Sequence, residues 1–259
     1  MDRLKKFYFG TNTKMYKTIA ETVAFLSELA ELTKNVDRFN AELFVIPSFT
    51  SLQAASQVAM KAGILLGAQN MGWEDQGPFT GEISPRMLRE VGVEIAEIGH
   101  SERRHVLNET DEMENKKVIC AIKNGFTPLL CIGETARQKQ DGIADEILRI
   151  QLKRGLLAID KEDAAQRLMV AYEPVWAIGE SGTPATKEYA QKMHRLIRVT
   201  LCELFGERCG RQIPLLYGGS VHPDNAVGLS GMDEINGLFI GRSAWDAKNF
   251  YSIIRSIVN

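Results

Sequence analysis

Eight short apolar runs, rich in residues that favour β-strands, recur along the chain with longer segments between them. Two of these segments, residues 18–32 and 144–157, repeat apolar side chains at the spacing of one buried helix face. Strands that alternate with helices require right-handed crossovers and a parallel sheet, and a closed (β/α)₈ barrel needs eight such units. We therefore predict a single α/β domain, a (β/α)₈ barrel over residues 1–259, with an open doubly wound sheet as the alternative. The predicted strands are 7–10, 43–46, 64–68, 95–98, 128–132, 169–171, 214–217 and 238–240.

The composition limits the partners that this chain can have. Its 31 Lys and Arg residues nearly balance 33 Asp and Glu residues and are scattered along the sequence, so we expect no nucleic-acid partner. We expect no membrane partner either, because no run is long and apolar enough to cross a bilayer and the first residues lack the apolar region of a signal peptide. The four cysteines have no CxxC spacing, which favours reduced thiols and a cytoplasmic location over a disulfide or zinc framework.

Glu173 is the acid that the sequence places most clearly at a functional position. It follows an apolar run, and Pro174 cannot donate a ladder hydrogen bond, so the strand should end at or just after Glu173. The neighbours Tyr172 and Trp176 indicate an enclosed site, in which a carboxylate at the lip of a loop is a candidate proton shuttle. The alternative is a helix cap or a surface acid. The stretch that follows, Gly-Glu-Ser-Gly-Thr-Pro at residues 179–184, has the composition of a hinged lid.

Other polar side chains also follow predicted strands. Asn12 and Lys14 lie just after the first strand, and a lysine so placed favours binding of an anionic group over an ordinary surface charge. His100 follows the fourth strand, and the supporting residues Ser101 and Glu102 open the next segment. A helix that begins there would disfavour the imidazolium, so a neutral ring can donate a hydrogen bond to a carbonyl oxygen. The alternative is a packed or capping histidine; we predict no metal site, because no second His or Cys stands at ligand spacing.

Glycines follow the last two predicted strands, in Gly218-Gly-Ser220 and Gly241-Arg242. Backbone N–H groups at such junctions favour an anion such as phosphate, and these barrels usually bind phosphate after their last two strands. Gly-Gly also ends strands for steric reasons, so each turn is a weak signal by itself. The pair predicts a phosphate site.

Taken in order, these motifs resemble the triosephosphate isomerase family over essentially the whole chain. The resemblance implies a TIM barrel and a cofactor-free aldose–ketose isomerisation of a short sugar phosphate. It also implies a homodimer, whose loop Trp73–Ser84 reaches into the neighbouring subunit. The matching motifs are Asn12-Thr-Lys14, Gly77-Pro-Phe-Thr-Gly-Glu-Ile-Ser84, Gly99-His-Ser-Glu-Arg-Arg104, Cys131-Ile-Gly-Glu134, Tyr172-Glu-Pro-Val-Trp-Ala-Ile-Gly179 and Tyr217-Gly-Gly-Ser-Val221.

The resemblance also implies a role for each candidate residue. Glu173 would remove a proton from the carbon beside the carbonyl, and His100, Asn12 and Lys14 would stabilise the enediolate. Glu102 would position Lys14. The phosphate would be held by the backbone N–H groups of Gly179, Ser220, Gly241 and Arg242.

Three positions depart from the family pattern. Thr13 stands where the family usually has Trp, the lid reads Gly-Glu-Ser-Gly-Thr-Pro-Ala instead of Gly-Thr-Gly-Lys-Thr-Ala, and the last phosphate turn has Gly241-Arg242 in place of Gly-Gly. Such a lid, together with Gly-Leu-Phe-Ile-Gly-Arg-Ser-Ala-Trp at residues 237–245, resembles the branch that acts on four-carbon erythrulose phosphates. We therefore expect an erythrulose phosphate as substrate, with dihydroxyacetone phosphate and glyceraldehyde 3-phosphate as the alternative.

Two other functions remain open at this point. The barrel could bind a sugar phosphate without catalysis, as a sensor, although retention of Asn12, Lys14, His100 and Glu173 argues against this. It could also be an aldolase that uses Lys14 as a Schiff base, which a covalent adduct on that lysine would reveal.

Overall fold

The computed structural model describes residues 6–179 and 182–258, and it confirms the predicted barrel. Eight parallel strands pair in chain order, and β1 also pairs with β8, with Tyr8 opposite Gly237. This last pairing closes the sheet and excludes the open doubly wound alternative. The strands are β1 (Phe7–Asn12), β2 (Ala41–Ile46), β3 (Leu65–Ala68), β4 (Ile95–Ile98), β5 (Thr127–Ile132), β6 (Met169–Tyr172), β7 (Leu215–Tyr217) and β8 (Gly237–Ile240).

Helices surround the barrel and return the chain from the end of each strand to the start of the next. The two segments with helical periodicity are confirmed as helices, with the second ending two residues earlier than predicted. In the described part of the chain the α-helices are α1 (Ile19–Leu32), α2 (Leu52–Ala62), α3 (Pro85–Glu90), α4 (Ser101–His105), α5 (Asp111–Lys123), α6 (Ala136–Gln140), α7 (Ala144–Gly155), α8 (Lys161–Arg167), α9 (Lys187–Phe205), α10 (Glu207–Gly210), α11 (Pro223–Ser230) and α12 (Ala247–Ile257). Short 3₁₀ turns lie at Phe49–Ser51, Val175–Ala177 and Arg242–Ala244.

Local capping explains why several helices begin where they do. Before α1, the Thr18 side chain accepts the Glu21 N–H, and the Glu21 carboxylate accepts the Thr18 N–H at 2.7 Å. This reciprocal capping box satisfies two of the N–H groups that a helix start leaves without partners.

The first strand is longer than the sequence predicts. The expected strand ends at Gly10, whereas β1 continues to Asn12, because Thr11 pairs with Val45 on one side and Ile240 on the other, and Asn12 pairs with Ile46. Asn12 therefore belongs to the strand and not to the following loop. Its side chain gains the rigidity of the sheet.

Apolar side chains fill the barrel interior and the layer between strands and helices. The interior cluster contains Phe44, Leu129, Met169, Leu216 and Phe239, all buried, and the rings of Phe44 and Phe239 stack with centroids 5.8 Å apart. Because these side chains fill the barrel interior, a ligand cavity can form only at an end of the barrel, and in this fold it forms at the C-terminal end of the strands. None of the helices in the described ranges is long and apolar enough to cross a membrane.

Candidate active site

A cavity of about 130 Å³ opens at the C-terminal end of the barrel. Its size suits a small molecule and not a polymer. The structure brings to this one cavity eight residues that the sequence singled out: Asn12, Lys14, His100, Glu173, Gly179, Ser220, Gly241 and Arg242. Ser101 and Glu102 lie behind them at the start of α4.

Glu173 lies directly after β6 and is 3% exposed. Its backbone N–H donates to the carbonyl of Ile132 at 2.7 Å. Neighbouring strands leave room for it only through glycines: a Cβ on Gly133 would lie 1.9 Å from the Glu173 carbonyl oxygen, and one on Gly218 would lie 2.7 Å from its Cγ. Among the described residues, Glu173 Oε2 has no hydrogen-bond partner. The carboxylate is therefore held between these two glycines, and its Oε2 is a buried acceptor.

His100 faces Glu173 across the cavity, with Nε2 3.6 Å from Glu173 Oε1. Gly99, at a φ of 75°, turns the chain after β4 so that His100 caps α4. The Nδ1 atom accepts the backbone N–H of Glu102 at 3.2 Å. A ring nitrogen that accepts carries a lone pair, so the ring proton lies on Nε2. This arrangement provides a neutral imidazole that can donate to an oxygen in the cavity.

Lys14 is fixed by three contacts. Its backbone N–H donates to Asn12 Oδ1 at 2.6 Å, its carbonyl accepts from Gln69 Nε2 at 2.8 Å, and its ammonium group donates to Glu102 Oε1 at 2.6 Å. Its φ of 53° is unusual for a residue with a side chain. Glu102 therefore contacts both Lys14 and His100, which is the geometry that a supporting residue needs.

Glu97 is a buried acid in the site that the sequence analysis missed. It lies within β4, is fully buried, and accepts from Asn12 Nδ2 at 2.6 Å. Burial, reinforced by the charge of Glu173, raises the pKa of Glu97 well above its ordinary value. Ionisation of Glu97 is therefore disfavoured. An acid within a four-residue apolar strand was the available signal, because its side chain must face either the barrel interior or the helices.

Glu134, so far only part of a motif, anchors the turn that precedes the predicted lid. Its fully buried carboxylate accepts from Tyr172 OH at 3.0 Å, Trp176 Nε1 at 2.8 Å and Tyr189 OH at 2.9 Å. These bonds tie the turn Val175–Ala177 to β5, β6 and α9. The predicted lid leaves this anchor at Gly179; its residues 180 and 181 lie outside the described residues.

The end of the cavity at which the sequence predicts a phosphate is lined by residues of three loops. Gly179 has a φ of 87°, Ser220 follows β7, and Gly241 and Arg242 follow β8. Within the part of the chain that the structure describes, the N–H groups of Gly179, Ser220 and Gly241 have no backbone acceptor. Such N–H groups can donate hydrogen bonds to a bound anion without breaking a backbone hydrogen bond of the protein.

One group of side chains has the composition of a metal site. Ligand atoms of Glu97, Cys131 and Glu173 lie within 4.8 Å of one another. Burial raises the pKa of the Cys131 thiol as well as that of Glu97. Two of the three groups would have to lose a proton to bind a cation, so this set favours the metal-free chemistry of a carboxylate base.

Comparison with known proteins agrees with this geometry. The sequence profile of the family described as triosephosphate isomerase matches residues 7–257. The L-erythrulose-1-phosphate isomerase of Rhizobium etli is 45% identical over 250 residues, covering 96% of this chain and 92% of that protein. The triosephosphate isomerase of Caldanaerobacter subterraneus subsp. tengcongensis is 42% identical over 243 residues, covering 94% of this chain and 96% of that protein.

A solved structure gives the same result. The crystal structure of triosephosphate isomerase from Bartonella henselae matches with a TM-score of 0.86 and 34% identity, over 96% of this chain and 98% of that one. Fold, sequence profile and relatives therefore agree along nearly the whole length. The chain belongs to the triosephosphate isomerase family and is an intramolecular isomerase of the aldose–ketose class.

Proposed function

We propose that this protein isomerises a sugar phosphate of three or four carbons by proton transfer through an enediolate, with Glu173 as the base. The observation that carries the proposal is the pairing of Glu173 and His100 in one cavity, which both residues line, with Glu173 Oε1 and His100 Nε2 3.6 Å apart. The single domain predicted over residues 1–259 and the cytoplasmic location are part of the same proposal.

The first step is removal of a proton from the carbon next to the carbonyl. Glu173 takes this proton, and the C–H electron pair moves to the carbonyl oxygen to form the enediolate. The Nε2–H of His100, the amide of Asn12 and the ammonium of Lys14 stabilise the charge on that oxygen. The hydroxyl proton on the carbon that lost its hydrogen moves to the oxyanion, and Glu173 returns its proton to the former carbonyl carbon, so the carbonyl and hydroxyl groups exchange places. Oriented donors in a buried site cost little reorganisation, which is why this end is built from fixed side chains.

The phosphate is held by the backbone N–H groups of Gly179, Ser220, Gly241 and Arg242, and the Arg242 guanidinium adds positive charge beside it. Arg242 lines the same cavity as Glu173. Binding of the phosphate orients the reacting carbons against Glu173. The binding energy of the phosphate group thereby lowers the barrier to proton transfer at the other end of the substrate.

We favour an erythrulose phosphate over a triose phosphate, and the same proton transfer accommodates both. In a tetrulose 1-phosphate, loss of a proton from C3 and its return to C2 move the carbonyl from C2 to C3. Numbered from the other end, the product is a ketotetrose 4-phosphate. A triose phosphate gives a ketose–aldose pair by the same step. Relatives named for both substrates support keeping the triose as the second candidate.

Product identification tests the proposal. We would incubate the protein with erythrulose 1-phosphate or dihydroxyacetone phosphate in deuterated water and follow the carbon spectrum by NMR. The expected result is a tetrulose 4-phosphate with solvent deuterium at the new carbinol carbon, formed with a larger kcat/KM than glyceraldehyde 3-phosphate. Failure of folded protein to turn over either compound contradicts the function, and a larger kcat/KM for the triose reverses the order of substrates.

The aldolase alternative is disfavoured by the surroundings of Lys14. Its ammonium group is in contact with the Glu102 carboxylate, and a Schiff base needs a neutral amine. The expected result of borohydride treatment with substrate is no adduct on Lys14.

We also propose that two copies pair through the loop Trp73–Ser84. The loop closes with a hydrogen bond from Gly72 N–H to the Ile83 carbonyl at 2.8 Å and packs Phe79 edge-on against Trp73, leaving Phe79 41% exposed. An aromatic ring held at an exposed loop tip suits insertion into a partner. The expected mass at micromolar concentration is that of a dimer, and Phe79→Asp should give a monomer. A wild-type monomer would contradict the pairing.

A further inference from the structure

Trp245 connects the two ends of the active-site cavity. It follows the turn Arg242–Ala244 after β8, and its side chain lines the cavity. Its Nε1 donates to the backbone carbonyl of Asn12 at 2.9 Å, and its ring packs on Tyr16 with centroids 4.6 Å apart. The phosphate turn is therefore bonded directly to the segment that carries Asn12 and Lys14.

That segment needs support because its backbone is strained at Lys14. A φ of 53° costs free energy in a residue with a side chain, so the surrounding contacts must maintain it. Asn12 Oδ1 and Gln69 Nε2 hold the Lys14 peptide from the side of β1 and β3. Trp245 holds the same segment from the side of β8.

We propose that Trp245 is a positioning residue that sets the separation between the enediolate-binding side chains and the phosphate turn; the proposal rests on the function proposed above. A sugar phosphate must contact both ends at once, so a small displacement of the β1–α1 loop moves Lys14 and Asn12 away from the developing oxyanion while the phosphate remains bound. Inorganic phosphate occupies only the turn and does not sense this separation.

Trp245→Phe provides the test, because it keeps a ring against Tyr16 and removes the N–H that reaches Asn12. The expected result is a fall of about tenfold in kcat, with KM and the inhibition constant of inorganic phosphate each within about twofold of wild type. Tyr251→Phe, an aromatic substitution on α12 outside the cavity, is the matched control and should keep the wild-type kcat. Circular dichroism of both variants would verify the fold.

Two kinetic outcomes would overturn the proposal. An unchanged kcat would show that the Asn12 contact does not matter for turnover. A rise in KM and in the phosphate inhibition constant by the same factor, with kcat unchanged, would show that Trp245 acts only on the phosphate turn.

Amide hydrogen exchange separates this proposal from the proposed function. The peptide covering residues 13–17 should exchange at least about fivefold faster in Trp245→Phe than in wild type or Tyr251→Phe, because one of its restraints is lost. This measurement needs no substrate, so it remains decisive if no sugar phosphate is turned over. Equal exchange rates in the three proteins would show that the bond from Trp245 to Asn12 does not restrain this segment, and would overturn the proposal.

Discussion

The two ends of the cavity are built in opposite ways. At the carbonyl end, the proposed reaction depends on buried side chains: Glu173 and His100 are buried, and Glu97, also buried, accepts a hydrogen bond from Asn12. At the predicted phosphate end, the cavity is lined by exposed or half-buried residues such as Gly179 and Ser220, whose N–H groups have no backbone acceptor among the described residues.

The difference reflects what each end must do. Proton transfer needs particular atoms within a few tenths of an ångström, which only cross-braced, buried side chains provide. Phosphate binding needs several N–H groups and positive charge, which many loop sequences can supply. Of the three departures from the family pattern, Thr13 lies beside the carbonyl end, Arg242 lies at the predicted phosphate end, and the third is in the predicted lid that begins at Gly179.

The largest effect is expected from Glu173→Gln, which keeps the shape of the site and removes the base. We expect kcat to fall about 10³-fold, because general-base catalysis typically contributes about 10²–10⁴-fold. Inorganic phosphate should bind as in wild type. Glu188→Gln, at an exposed position of α9, is the control and should be fully active. An unchanged rate in Glu173→Gln would mean that the contrast between the two ends is wrong.

A smaller loss is expected from Gly218→Ala. The new methyl group would lie 2.7 Å from Glu173 Cγ, so the carboxylate must move. We expect kcat to fall about 10²-fold with KM little changed, because a displacement of about 1 Å is enough for such a loss. Gly228→Ala on α11 is the control, since its Cβ would make only an ordinary 3.6 Å contact with Lys187. Full activity of Gly218→Ala would show that the carbonyl end is less rigid than its packing indicates.

Arg242→Ala sharpens the comparison from the other end. Removing one charged group near the phosphate should raise KM about tenfold and leave kcat within about twofold, since charge-assisted hydrogen bonds typically contribute about 1.5–3 kcal/mol. The increase should shrink at high salt, because Arg242 is exposed. Arg195→Ala, on the exposed side of α9, is the control and should leave kcat and KM unchanged. A loss in kcat alone would assign Arg242 to the chemistry and not to binding.

The smallest expected effect comes from protonation of the buried His194 at acidic pH. It changes the free energy of unfolding and leaves activity at neutral pH unchanged. His194 lies against Tyr172 and Tyr217, beneath the loops that carry the site, and burial lowers its pKa to about 4. Because the folded-state pKa lies below the unfolded value of about 6.5, His194 contributes its full stability above pH 6.5 and loses it as the pH falls towards 4. By pH 5 the loss should be about 2 kcal/mol.

Urea unfolding of wild type and His194→Gln between pH 7 and pH 5 measures this contribution. The variant should be less stable at pH 7 but should lose about 2 kcal/mol less on acidification. Parallel pH curves for the two proteins would show that His194 does not titrate in this range.

The residues that line both ends of the cavity were predictable from the sequence, whereas the buried contacts behind them were not. Asn12, Lys14, His100 and Glu173 lie at or just after the ends of strands that apolar runs predict, and the barrel geometry brings strand ends together. The contacts of Glu97 and Glu134 could not be predicted from the sequence. An acid in an apolar segment can point to the barrel interior or to the helices, and the sequence does not say which. The Trp245 contact could not be predicted either, since it joins residues 233 positions apart.

The sequence by itself determined the alternation of strands and helices, the barrel that follows from eight such units, and the types of polar residue at its mouth, because periodicity and turn chemistry are local properties. Only the tertiary structure decided which acid has its pKa raised by burial, which nitrogen of His100 carries the proton, and which carboxylate supports Lys14. Those properties depend on burial and on contacts between segments far apart in the chain, and neither is fixed before the sheet closes on itself.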